Sequence, residues 1–260
     1  MKIPINGEVY SQHVLLTLYS INIYMTDLVI SGKMKMADII NADKRALVLL
    51  PRFDIEMGLG DQTVKEICQF KNIHLDFFLL MVNVFLNKNY FPKHKLKSLD
   101  VDMLLAYLEN AHKYYLDERI PYLENLIQEF KKVVKHPATK QLEIFFNQYI
   151  KEVKDHLAYE DNTAFPYVSK LSEYIKKKRI DISGIDYNIG FFEERHDNIE
   201  EKLSDLKNLL IKYFPPSNDR YIRIRILNEL MDFEDDLKNH ARIEDKVLIP
   251  IVEQLEQKVN

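Results

Sequence analysis

From about Leu99 onward, apolar residues recur at steps of three and four, the period of an amphipathic helix. The first such stripe runs through Leu105, Leu108, His112, Tyr115, Arg119, Leu123, Leu126 and Phe130. The second takes in Leu142, Phe146, Tyr149, Val153, His156 and Glu160, and the third Phe192, His196, Ile199, Leu203, Leu206 and Leu210. The fourth follows Ile226, Leu230, Phe233, Leu237, His240, Glu244, Val247 and Ile251. Helix breakers separate the stripes at His136–Pro137, Ser183–Gly184 and Pro215–Pro216–Ser217. Pro121 falls inside the first stripe and predicts a kink there. Four helices with short-to-moderate connections most simply make an up-and-down four-helix bundle, so the predicted fold class is all-α.

The rest of the chain is organised differently. Residues 1–33 read as an apolar extension without clear periodicity. Residues 34–95 read as a small helical domain with helices near Met36–Asp43 and Thr63–Ile73. The joint between them, Arg52–Gln62, carries Gly58 and Gly60, a turn signal. Asn87–Lys97 reads as a linker, and residues 96–260 form the bundle.

Composition narrows the possible functions. Six glycines in 260 residues disfavour a turn-rich β architecture. A net charge of −4 gives no concentrated basic face, so no nucleic-acid partner is expected. Thr63–Val64–Lys65–Glu66–Ile67–Cys68 followed by Ile73 loosely matches a helix-turn-helix, but the chain is acidic and such short apolar spacings are common in small helical domains. The single cysteine, Cys68, excludes an internal disulfide framework and suits a reducing compartment. The run Val14–Ile30 is interrupted by Thr17, Ser20, Asn22 and Asp27, and fits neither a membrane span nor a secretory signal. A cytoplasmic location with no membrane partner is therefore expected.

The chemistry sits in an internal duplication. His156–Leu–Ala–Tyr–Glu160–Asp161 is followed by Phe165–Pro166, and His240–Ala–Arg–Ile–Glu244–Asp245 by Ile249–Pro250. His156 and His240 are 84 positions apart, as are His112 and His196. One helical hairpin, with a histidine on its first helix and H-x-x-x-E on its second, thus occurs twice. His and Glu at i and i+4 share a helix face. Here that face is the apolar stripe, so an ionised glutamate is directed into the core. Burying it uncompensated costs several kcal/mol. A lone histidine on an apolar face is usually a core residue satisfied by a hydrogen bond. Four histidines and two glutamates at matching positions reverse that reading, because a metal cation compensates all of them together. His136 has no counterpart in the duplication, where Arg220 stands, and the pattern alone leaves it a solvated loop residue. His13, His74 and His94 lie outside the bundle. Tyr115 and Tyr159 adjoin candidate ligands, where core packing is the simpler reading.

These motifs resemble the hemerythrin-like cation-binding family, and more closely the repair of iron centers proteins, which carry a small N-terminal domain ahead of the bundle. The resemblance covers about Met34–Leu255. It implies two non-haem iron ions, oxo- or hydroxo-bridged, held by His112, His136, His156, Glu160, His196, His240 and Glu244, with zinc or manganese as possible substitutes. It is the resemblance that brings His136 into this set. Imidazole and carboxylate suit such ions, and this ligand set leaves one coordination position open. A small diatomic ligand, oxygen or nitric oxide, is the implied partner. So are damaged iron–sulfur proteins, repaired under nitrosative or oxidative stress by iron donation or nitric oxide handling. An oxygen or nitric oxide sensor or carrier of hemerythrin type is the alternative. The family's N-terminal loop carries an adjacent cysteine pair. In Arg52–Phe–Asp–Ile–Glu–Met57–Gly–Leu–Gly60 the corresponding region holds Met57 and Gly58 and no thiol.

Overall fold

The computed structural model describes residues 2–5, 8–11, 29–90, 100–177, 187–195, 199–216 and 219–259. They are overwhelmingly helical and divide into two compact units: Met1–Leu50 with Asp54–Lys93, and Pro51–Phe53 with His94–Asn260.

In the first unit, β1 (Lys2–Ile5) and β2 (Glu8–Ser11) pair antiparallel, Ile3 opposite Tyr10. The hairpin departs from the aperiodic extension expected for residues 1–33. Asn6–Gly7, the dipeptide between the strands, is the strongest short-range hairpin signal in a sequence. Helix α1 (Met36–Ala42) is followed by a 3₁₀ turn at Lys44–Val48 and a single helical turn, α2 (Leu49–Arg52), whose Pro51 and Arg52 are counted with the second unit. Then come α3 (Val64–Phe70) and α4 (Leu75–Leu86). Thr63 and Glu66 form a capping box that starts α3. Gly58 (φ 95°) and Gly60 (φ 54°) occupy the left-handed region that their turn requires. Met36, Ile39, Val64, Ile67, Phe78, Met81 and Phe85 are all buried. Asn83 of α4 accepts from the Ile30 amide at 2.6 Å and donates to the Ile30 carbonyl at 3.0 Å, pairing a buried backbone group of the preceding segment.

In the second unit the helices line up as four rods. Rod one is α5 (Val101–Tyr114) and α6 (Ile120–Val133), and rod two is α7 (Ala138–Tyr159) and α8 (Phe165–Lys177). Rod three is α9 (Ile189–Arg195) and α10 (Ile199–Asn208), and rod four is α11 (Arg220–Ile243) and α12 (Ile249–Glu256). Rod one packs on rods two and four, and so does rod three, giving a square bundle. Its core includes Leu123, Leu126, Phe130, Leu142, Phe146, Val153, Leu203, Leu206, Leu230 and Phe233. Among the described residues, the apolar positions of the sequence stripes are these buried faces. Among the described residues, no helix is long and apolar enough to cross a membrane.

Among the described residues, each rod contains one five-residue π-helical turn: Tyr115–Arg119, Glu160–Ala164, Leu209–Tyr213 and Glu244–Leu248. Each turn begins six residues before a proline: Pro121, Pro166, Pro215 and Pro250. Proline inside an α-helix removes one hydrogen bond and presses its ring against the carbonyl four residues back. Here the residue before each proline bonds five residues back, Ile120 to Tyr115, Phe165 to Glu160, Phe214 to Leu209 and Ile249 to Glu244. The widened turn makes room for the ring. The disturbance expected at Pro121 therefore takes the form of a π turn, repeated in every rod.

Candidate metal centre

Four of the expected ligands converge. One ligand atom each from His112, Glu160, His240 and Glu244 lies within 4.8 Å of the others, and all four residues are buried. His112 comes from α5 and His240 from α11, while each glutamate opens the π turn one helical turn after a histidine. That i,i+4 spacing puts Glu160 Oε1 2.9 Å from His156 Nε2 and Glu244 Oε1 3.2 Å from His240 Nε2. Across the helices, His112 Nε2 stands 3.0 Å from His240 Nε2 and 3.1 Å from Glu160 Oε2.

His156 joins through Glu160, whose two oxygens face two different imidazoles, Oε1 toward His156 and Oε2 toward His112. His196 lies outside the described residues. His136 is not brought to the cluster, which corrects the ligand set the resemblance implied. It is exposed at the start of rod two, where its Nδ1 accepts from the Ala138 amide at 3.1 Å and its ring lies by Phe214. The whole of α7, 22 residues, separates it from Glu160. At 1.5 Å per residue that is about 33 Å.

The surroundings favour positive charge. Glu160 is fully buried, and neither of its oxygens accepts an aligned hydrogen bond from the described residues. An ionised carboxylate in that position requires a cation. Burial lowers the pKa of His112, but hydrogen bonding to Asp161 and the closeness of Glu160 raise it more, to about 9. Imidazole nitrogens and carboxylate oxygens clustered at these separations fit a transition-metal ion, for which bonds of about 2.0–2.2 Å place neighbouring donors roughly 3–4.5 Å apart.

The supporting contacts are equally specific. Asp161 Oδ1 is 2.7 Å from His112 Nδ1. An ionised carboxylate only accepts, so Nδ1 carries the proton and Nε2 is left to face the cluster. Glu160 and Asp161 are consecutive residues in one π turn, and they meet opposite nitrogens of the same ring. Phe165 stacks on His112 with ring centres 5.3 Å apart, and Tyr115 meets His240 edge-on at 5.6 Å. Tyr115 otherwise bonds Arg52 and the Asp236 carbonyl, and the Tyr159 hydroxyl lies 3.1 Å from that of Tyr187. Asp161 had a sequence signal, its repetition as Asp245, whereas Arg52 and Asp236 had none.

The Hemerythrin HHE cation binding domain family matches residues 102–252, more than half of the chain. The chain is 27% identical over 167 residues to the "Iron-sulfur cluster repair protein ScdA" of Staphylococcus haemolyticus (strain JCSC1435), covering 62% of this chain and 73% of that protein. It is 23% identical over 192 residues to the protein of the same name from Staphylococcus epidermidis (strain ATCC 35984), covering 73% of this chain and 84% of that one. With two H-x-x-x-E hairpins directing their side chains into one buried cluster, this chain belongs to the hemerythrin HHE cation-binding domain family.

Proposed function

We propose that this chain is a non-haem di-iron protein that serves the repair of iron–sulfur clusters under nitrosative or oxidative stress, by iron donation or nitric oxide handling. The observation that carries the reading is the buried quartet His112, Glu160, His240 and Glu244, whose carboxylates need a cation. A pair of ions, rather than one, is favoured by Glu160, which turns one oxygen to His112 and the other to His156, as a bridging carboxylate does. The names of the staphylococcal relatives, iron-sulfur cluster repair proteins, support the repair role.

In this reading His112, His156, Glu160, His240 and Glu244 hold the irons, with His196 as the repeat counterpart of His112. The iron pair, when bound, supplies redox chemistry and a place for a diatomic ligand. The chain's own residues do the rest. Asp161 holds His112 in one tautomer, Phe165 and Tyr115 exclude water from the rings, and the glutamates supply the opposing charge. Damaged iron–sulfur proteins are the proposed macromolecular partners, and the cytoplasm the proposed location.

One feature of the sequence favours the second reading, an oxygen or nitric oxide sensor or carrier. The Arg52–Gln62 loop has Met57, exposed, and Gly58 in place of a thiol pair. The two readings separate in one experiment. Iron-loaded protein is mixed with a nitric-oxide-damaged iron–sulfur enzyme, alongside the His240→Ala and Glu244→Ala variants. Repair is expected to restore the enzyme's activity with the wild type and not with the variants. A reversible oxygen adduct without any restoration would overturn the repair reading in favour of the carrier.

A further inference from the structure

Arg52 lies in the second unit, in the short stretch Pro51–Phe53 whose flanking segments belong to the first, and its side chain is wholly buried. Its guanidinium holds two rods at once. Nη1 donates to the Tyr107 hydroxyl at 3.2 Å, and Nη2 donates to the Tyr115 hydroxyl at 2.8 Å and to Asp236 Oδ1 at 2.5 Å. Tyr107 and Tyr115 belong to rod one, on either side of His112, and Asp236 lies one helical turn before His240 in rod four. Both phenol rings also lie against the guanidinium, at 5.7 Å and 5.5 Å. From Tyr115 the contact continues to the His240 ring.

A buried ion pair is a poor device for stability alone, since apolar side chains of similar volume hold helices together as well or better. What arginine adds is direction: a planar fork of donors that fixes several acceptors at set angles. The fork stands one turn from the two histidines whose Nε2 atoms approach to 3.0 Å. We infer that Arg52 is a positioning residue of the metal centre. By gripping Tyr107 and Tyr115 on one rod and Asp236 on another, it sets the separation at which His112 and His240 present their ligating nitrogens. The inference rests on the metal reading proposed above and adds to it a residue that no helical motif contains.

Three variants test it. Arg52→Lys keeps the charge and loses the fork. Arg52→Met combined with Asp236→Leu replaces the pair by apolar groups, so that no buried charge is left uncompensated. Arg223→Met breaks a part-buried local pair with Asp219, whose bond is 2.7 Å, well along α11 from His240. Ferrous iron affinity is measured by anaerobic titration against a chelator, with the absorption spectrum of the oxidised centre and the melting temperature. Both Arg52 variants are expected to bind iron at least tenfold more weakly and to shift the absorption band. Arg223→Met is expected to lower the melting temperature with affinity and spectrum unchanged. Unchanged affinity and spectrum in both Arg52 variants, whatever their melting temperatures, would overturn the inference while leaving the metal reading intact. A wild type that takes up no iron would overturn both.

Discussion

Replacing Glu160 by glutamine separates a carboxylate that serves a metal from one that serves the fold, because the two roles give opposite signs. Glutamine keeps the shape and removes the charge. Glu160 is fully buried, and its oxygens accept no aligned hydrogen bond among the described residues. In metal-free protein the charge is therefore a liability, offset in part by the raised basicity of His112. Relieving it is expected to stabilise the metal-free form by about 1–3 kcal/mol, a fraction of the several kcal/mol of a bare buried ion. For a unit of this size that raises the melting temperature by roughly 2–12 °C. With metal the order reverses. Free metal at about a thousand times its Kd stabilises the wild type by about 4 kcal/mol, or roughly 8–16 °C, and the variant gains far less. The assay is a melting curve for each protein with a chelator and with anaerobic ferrous iron. If Glu160→Gln melts lower than wild type in chelator and shows the same iron-induced rise, Glu160 is a structural residue and the reasoning is refuted.

Other outcomes follow from single contacts. Asp161→Ala loses the acceptor that holds His112 Nδ1–H, and iron affinity measured by titration is expected to fall about 10- to 100-fold. His136→Ala is expected to leave iron content and affinity unchanged, since the residue is exposed at the other end of α7; a loss of bound iron would contradict its placement. Burial pushes the Cys68 thiol from 9.0 up to about 11. Because the folded value is the higher one, its contribution to stability is full below about pH 9 and is lost as pH rises through about 11. Near pH 8 a thiol reagent should accordingly meet roughly a hundredfold less thiolate in folded than in unfolded protein, and rapid labelling of the folded chain would refute this.

Much of this was legible in the sequence because helical period and repeat offset carry geometric information. His156 and Glu160 could be placed on one face without coordinates, and their return as His240 and Glu244 pointed to a shared interior. His112 followed from its own stripe. What spacing could not convey was depth along a rod. His136 entered the ligand set through the family resemblance alone, and it sits at a joint, at a rod's end, a whole helix away from these ligands. The π turns were signalled by prolines six residues downstream, although proline alone does not distinguish a kink from a widened turn. Arg52 had no signal at all. It reaches the bundle from a segment distant in sequence, and only the fold brings it beside Tyr107, Tyr115 and Asp236. The β1–β2 hairpin was missed because the apolar content of residues 1–33 outweighed Asn6–Gly7.

The most direct test of the buried cation centre is metal analysis of freshly purified protein, with an absorption spectrum taken before and after oxidation. Two irons per chain and an oxo-bridge charge-transfer band in the oxidised form are expected, both lost in a Glu160→Ala, Glu244→Ala double variant. Metal-free protein, zinc alone, or iron that survives removal of both glutamates would contradict it.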